Sequence, residues 1–195
     1  MFSFYVGIVN TAAPVIVLVG LMGTGKSTVA WDLAQHYQVP CLDTDKLVEQ
    51  RVGKTVREIF EEPGEVFFRE VESEVLRDCL HSPEGAVIAA AGGVVLAEEN
   101  RQSIEKAKKQ RGITVVWLHA LPEVLAVRTA KGSHRPALDT DRLQVLEQMY
   151  ALREPMYKEV SDVVIDVSER SIESVTSLII DAIDEAAIWE DGTHE

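Results

Sequence analysis

Residues 15–28 read Val15-Ile16-Val17-Leu18-Val19-Gly20-Leu21-Met22-Gly23-Thr24-Gly25-Lys26-Ser27-Thr28. A short apolar run rich in β-branched residues predicts a buried strand. The segment after it satisfies G-x-x-x-x-G-K-[ST] and opens a helical period, the strand-turn-helix context in which that pattern cradles phosphate. Glycines let successive N–H groups turn inward, and the helix N-terminus adds its positive end. Lys26 would then reach the β and γ phosphates, and Ser27 would ligate Mg²⁺. A turn that bound nothing would need neither Lys26 nor Ser27 at those places. The motif implies a nucleotide but not what is done with it, because motors, switches and kinases share it.

Outward from this stretch, apolar runs alternate with longer helical periods, the pattern of a parallel sheet with crossover helices. Strands are expected at Val15 to Val19, Pro40 to Leu42, Ala86 to Ala90, Thr114 to Leu118 and Val163 to Ile165. Helices are expected at Lys26 to Tyr37, Lys46 to Val52, Val56 to Glu61, Glu65 to Cys79, Glu98 to Lys109, Pro122 to Thr129, Asp141 to Glu154 and Ile172 to Ala187. Three helices in succession between the second and third strands exceed one crossover, so an excursion is expected over about 44–80. Residues 130–141, centred on AKGSHRPALDT, carry Gly, Pro and charge without apolar period and read as a mobile loop. Frayed ends are expected at about 1–12 and 189–195, and the whole chain, 1–195, reads as one α/β domain.

Composition narrows the partners. With 19 basic and 32 acidic residues the formal charge is −13, which repels nucleic acid and anionic lipid surfaces alike. Anionic substrates would therefore need a local cluster of cations and backbone N–H groups. The two cysteines, Cys41 and Cys79, form no C-x-x-C pair, and the five histidines have no metal-ligand spacing. The opening segment lacks a basic n-region, and no apolar run reaches the roughly 18–20 residues of a membrane span. A cytoplasmic, non-membrane protein is expected.

Several runs supply candidate acceptor-site chemistry. Cys41-Leu42-Asp43-Thr44-Asp45 ends the second strand at the sheet edge that presents ligands, and strand alternation points Asp43 and Asp45 the same way. One carboxylate can serve the Mg²⁺ shell and the other can accept a hydrogen bond from an attacking hydroxyl; the plainer alternative is that Asp45 caps a helix starting at Lys46. Arg69 and Glu72 lie three apart on one helical face, so Glu72 can hold the guanidinium while its free edge grips a carboxylate. Taken alone, such a pair is more commonly a surface salt bridge. Ala91-Gly92-Gly93 ends the third strand, where glycines suit close approach to a ligand or merely a turn. Arg135 sits with Pro136 in the mobile loop. Arg153 precedes Pro155, where the helix is expected to stop and a cation would favour its C-terminus.

Together these runs resemble the shikimate kinase family, over about Ala13 to Ala187. The resemblance rests on G-L-M-G-T-G-K-S-T, L-D-T-D, I-F-x-x-x-G-E-x-x-F-R-x-x-E, the glycine turn and the R-P lid. It implies a P-loop three-layer fold with a five-stranded parallel sheet in order 2-3-1-4-5, a helical substrate-binding excursion, a mobile lid and usually a monomer. Gly23, Thr24, Gly25, Lys26, Ser27 and Thr28 would cradle ATP, with Ser27 and Asp43 at Mg²⁺. Asp45 would orient or deprotonate the acceptor hydroxyl. Arg69, Glu72, Gly92, Gly93 and Arg153 would bind shikimate, Arg135 would close over the transferring phosphate, and Arg128 and Arg170 would flank adenine. The family has three glycines where this chain has Ala91-Gly92-Gly93. Were the first to need a positive φ, alanine would be strained by roughly 1 kcal/mol or more.

The leading expectation is ATP-dependent transfer to the 3-hydroxyl of shikimate without a covalent enzyme intermediate, on the route to chorismate and aromatic amino acids. The alternatives are a related kinase for gluconate or a nucleoside monophosphate, and a nucleotide-gated regulatory module without turnover.

Overall fold

The computed structural model describes residues 13–130 and 141–191, with side chains described to 185. Strands β1 (Val15–Val19), β2 (Cys41–Asp43), β3 (Ala86–Ala89), β4 (Thr114–His119) and β5 (Val163–Asp166) form one parallel sheet in order β2-β3-β1-β4-β5. β1 is central and wholly buried, in register with β3 from Val15 against Ala86 and with β4 from Ile16 against Thr114. That explains its uninterrupted apolar run: a central parallel strand has both faces covered by helices. The edge strand β5 instead alternates half-buried and exposed residues.

Helices α1 (Lys26–Tyr37) and α8 (Ile172–Asp191) pack together on the sheet, while α5 (Glu98–Arg111) packs against both α4 (Glu65–Leu80) and α7 (Arg142–Val160). The excursion between β2 and β3 consists of α2 (Thr44–Val52), α3 (Val56–Glu61) and α4, three successive helices as the spacing predicts. α3 is closed by a capping box between Thr55 and Glu58. The short α6 (Pro122–Arg128) follows β4. Among the described residues no helix is long and apolar enough to cross a membrane.

Three sequence expectations change. α2 begins at Thr44, not Lys46, because the Asp43 carboxylate accepts from Lys46 N at 3.4 Å and takes the cap position. Asp45 therefore lies in the first helical turn, and neither strand alternation nor capping accounts for it. α7 does not stop before Pro155 but continues to Val160. The carbonyl that would have accepted from residue 155 belongs to exposed Ala151, on the solvent side of the helix, while buried Tyr157 and Val160 hold the later turns. α8 continues to Asp191, past its expected end at Ala187. Nearly all of the expected lid, with Arg135, lies outside the described residues, as do 1–12 and 192–195.

Candidate active site

The loop between β1 and α1 has the backbone that its glycines predict. Gly23 and Gly25 have φ of +86° and +91°, and Gly25 is the left-handed N-cap of α1. A side chain at Gly23 would also meet Thr129 Cγ2 at 2.8 Å. Thr24 is buried and its hydroxyl donates to Leu21 O at 2.9 Å, so its side chain holds the loop's shape. Lys26 Nζ donates to Gly20 O at 2.7 Å and Leu21 O at 3.0 Å, curling over the loop. Gly23, Gly25, Lys26, Ser27 and Thr28 line a cavity of about 240 Å³ together with Asp43 and Asp45.

Ser27 Oγ donates to Asp43 Oδ2 at 2.7 Å. A hydroxyl and a carboxylate in contact at the mouth of a phosphate loop are oxygen donors of the kind Mg²⁺ takes alongside phosphate and water. Among the described residues no group of three or more His, Cys, Asp and Glu could hold a metal. The donor set thus fits a metal shared with a nucleotide rather than a cage built by protein alone.

A second cavity, of about 360 Å³, lies between the excursion and α7 and has the size of a small-ligand site. Its wall includes Arg69, Glu72, Gly92, Gly93 and Arg153, all expected from sequence. Asp45 and Gly92 line both cavities and form their common wall.

Arg69 is the most constrained cation there. Its Nη1 donates to Glu72 Oε1 and Oε2 at 3.0 and 2.9 Å, and its Nε and Nη2 donate to Glu65 Oε1 at 3.3 and 3.0 Å. Burial alone would lower the guanidinium's pKa, but Glu72 and Glu65 outweigh it and the net direction is upward. Glu72 is only 1% exposed. Burial pushes its carboxyl up, Arg69 pulls it down, the charge of Asp45 pushes it up again, and the net shift is upward. The Arg69–Glu72 pair is therefore not the solvated surface bridge considered above.

The turn after β3 is built by groups far apart in sequence. Ala91 N donates to Thr44 Oγ1 at 2.8 Å, and Gly92 O accepts from Tyr157 Oη at 2.5 Å and Arg153 Nη1 at 3.1 Å. Ala91 is buried without a positive φ, so the strain conditional on a left-handed backbone does not arise. Two residues later glycine matters for a different reason: a Cβ on Gly93 would stand 2.8 Å from Arg69 Cζ, so the guanidinium would have to shift. Arg153 is 9% exposed, and its Nε is buried without a hydrogen-bond partner among the described residues. A buried guanidinium with an unspent donor suits an anion.

Arg128 and Arg170 are exposed and line neither cavity. Arg128 Nη2 donates to Val167 O and Ser168 O at 2.6 and 3.0 Å, and Arg170 Nε donates to Asp166 O at 3.0 Å. Their segments nevertheless border the phosphate loop, through Thr129 against Gly23 and Ile172 against Gly25. Arg135 lies outside the described residues.

Thr44, Glu65 and Tyr157 received no site role from sequence, although Thr44 stands in L-D-T-D and Glu65 in G-E-x-x-F-R. Glu65 and Tyr157 each carried a local signal, since each stands four residues from an arginine of the site, Arg69 and Arg153 respectively. Thr44 carried none, because its partner Ala91 is 47 residues away.

Residues 22–184 match the family model described as shikimate kinase. A shikimate kinase of Pseudomonas syringae pv. tomato is 42% identical over 156 residues, covering 80% of this chain and 87% of that protein. One from Xylella fastidiosa is 36% identical over 183 residues, covering 93% and 97%. Among solved structures, a shikimate kinase from Acinetobacter baumannii in complex with shikimate superposes with a TM-score of 0.82 at 33% identity, covering 89% of this chain and 94% of that one.

Proposed function

The chain belongs to the shikimate kinase family, and from that premise we propose that it transfers the γ-phosphate of ATP to the 3-hydroxyl of shikimate, releasing shikimate 3-phosphate and ADP. One observation carries the reading: Asp45 and Gly92 form the common wall of the phosphate-loop cavity and the arginine-lined cavity. A hydroxyl held in the second cavity beside Asp45 is thereby directed at a phosphate held in the first. Proximity and orientation are most of what a phosphoryl transfer with a loose transition state requires.

The roles follow from the chemistry of each group. Gly23 to Thr28 cradle the phosphates, and Lys26 swings from the Gly20 and Leu21 carbonyls to the β and γ oxygens, where charge accumulates during transfer. Ser27 and Asp43 would hold Mg²⁺, which when bound neutralises phosphate charge. Arg69 and Arg153 meet the acceptor's carboxylate, with Gly92 and Gly93 lining its seat and Glu72 fixing Arg69. Asp45 accepts a hydrogen bond from the attacking hydroxyl. Since its proton leaves late in a loose transition state, orientation matters more than basicity. Arg135 closes over the transferring phosphate, and Arg128 and Arg170 flank adenine. A monomeric, cytoplasmic, single-domain enzyme spanning 1–195, without nucleic-acid or membrane partners, completes the reading. Ala91 is buried without a positive φ, so backbone strain at that turn gives no reason to prefer the catalysis-free alternative.

The test is a coupled ADP-release assay with shikimate, gluconate and AMP offered separately. Turnover with shikimate alone is expected. Turnover with gluconate or AMP in its place, or none despite tight ATP binding, would overturn the assignment.

A further inference from the structure

The open edge of Arg69 already has a carboxylate on it. The guanidinium offers five N–H donors in a rigid fork. Nη1 is committed to Glu72, whose burial leaves it nowhere else to go. The Nε/Nη2 edge, which could present two parallel donors to a ligand, is taken by a single oxygen of Glu65. The guanidinium is held in its present orientation by both glutamates, with its Cζ 5.2 Å from the centroid of the Phe68 ring. An acceptor carboxylate that takes the paired Nε/Nη2 donors of Arg69 must therefore displace Glu65.

The two glutamates differ in what holds them. Glu72 is 1% exposed, whereas the Glu65 side chain is 60% exposed in the first turn of α4, with water available to a displaced carboxylate. Glu65 also uses the edge poorly, sharing one oxygen between two donors. An incoming carboxylate can place one oxygen on each donor, the stronger paired geometry. The exchange thus favours a planar carboxylate anchored elsewhere in the cavity over an anion offering one oxygen.

We propose that Glu65 is a resident competitor for the Nε/Nη2 edge of Arg69, displaced by the acceptor's carboxylate, so that it sets acceptor affinity and filters out weakly bound anions. This rests on the reading of Arg69 as the carboxylate anchor. Glu65 is a specificity residue acting through Arg69, and its removal should strengthen binding, the opposite of losing a ligand.

The experiment is calorimetric titration of the full chain with shikimate and, separately, with benzoate as a carboxylate that lacks the hydroxyls. Wild type is compared with Glu65→Gln and Glu65→Asp. An exposed ion pair is worth little, so Glu65→Gln should bind shikimate about two- to fivefold more tightly. Benzoate should gain at least as much, narrowing the discrimination between the two ligands. Glu65→Asp keeps the charge but is one methylene shorter, so competition predicts that it too binds more tightly than wild type. Unchanged or weaker shikimate binding by Glu65→Gln would overturn the proposal. So would tightening in Glu65→Gln with Glu65→Asp left at the wild-type value, since the effect would then be one of charge alone. Wild type that fails to bind shikimate at all would instead sink the acceptor assignment, a separate outcome from either of these.

Discussion

The hydroxyl of Tyr157 donates to the carbonyl of Gly92 at 2.5 Å, joining the last turns of α7 to the turn after β3 across 65 residues of chain. Arg153, one helical turn earlier, donates to the same oxygen at 3.1 Å. Two donors on one carbonyl fix the peptide plane at a residue that borders both cavities. Burial pushes the Tyr157 phenol well above its ordinary range, so it remains a neutral donor throughout the physiological pH range.

Tyr157→Phe should therefore impair the acceptor side selectively. Losing one neutral hydrogen bond of about 0.5–1.5 kcal/mol predicts a rise of roughly two- to tenfold in KM for shikimate, with KM for ATP little changed. Steady-state kinetics with each substrate varied would check this, and an equal rise in both would mean that Tyr157 only supports the fold. Because the phenol does not titrate near neutrality, the wild-type to mutant ratio should stay constant between about pH 6 and 9.

Lys26→Ala and Asp45→Asn should each lower kcat by about 10²-fold or more, the first by removing charge from the phosphates and the second by removing the hydroxyl's partner. Folding should survive both, as judged by thermal melts. Near-wild-type turnover in a folded Asp45→Asn enzyme would take Asp45 out of the reaction.

Arg69→Ala should weaken kcat/KM for shikimate at least about tenfold, since a charge-assisted hydrogen bond is worth about 1.5–3 kcal/mol, and leave ATP binding nearly untouched. Arg69→Lys should also be damaging, because an ammonium cannot offer two parallel donors. Glu72→Ala should be milder and the double mutant less than additive, because both residues act through one guanidinium. An analogue without the carboxylate completes the measurement. Equal losses on shikimate and on the analogue would show that Arg69 does not read the carboxylate.

The two positions flanking Gly92 in the turn should respond differently. Gly93→Ala would force a Cβ to within 2.8 Å of Arg69 Cζ, so the guanidinium must shift and acceptor KM should rise severalfold with kcat less affected. Ala91→Gly, at a position with no positive φ, should leave the kinetics alone and cost about 0.4–1 kcal/mol of stability through the freer unfolded chain. Kinetics and denaturant melts on the two variants separate these effects, and a kinetic gain in Ala91→Gly would show that alanine does burden the site.

What was legible in the sequence was what short-range physics decides. The phosphate loop, β1 and α1 follow from an apolar run, a glycine pattern and a helix start within fourteen residues, and both elements have their expected bounds. Arg69 and Glu72 share a helix, so their pairing could be read from spacing three, but not that burial of Glu72 makes it an anchor. Asp45 lines both cavities, though not through the strand alternation read from sequence. Strand alternation could not know that Asp43 would cap a helix and start α2 at Thr44.

Tertiary packing decided the rest. α7 continues through Pro155 because its missing bond falls on the solvent side while Tyr157 and Val160 are buried. That continuation carries Tyr157 to Gly92 beside Arg153. Thr44 reaches Ala91 only because β2 and β3 are neighbours in the sheet. A local pattern can specify which residues have the chemistry for phosphate and carboxylate. Bringing Asp45, Arg69, Gly92 and Arg153 to one cavity depends on contacts between segments far apart along the chain, where burial, close approach and shared hydrogen-bond acceptors determine the arrangement.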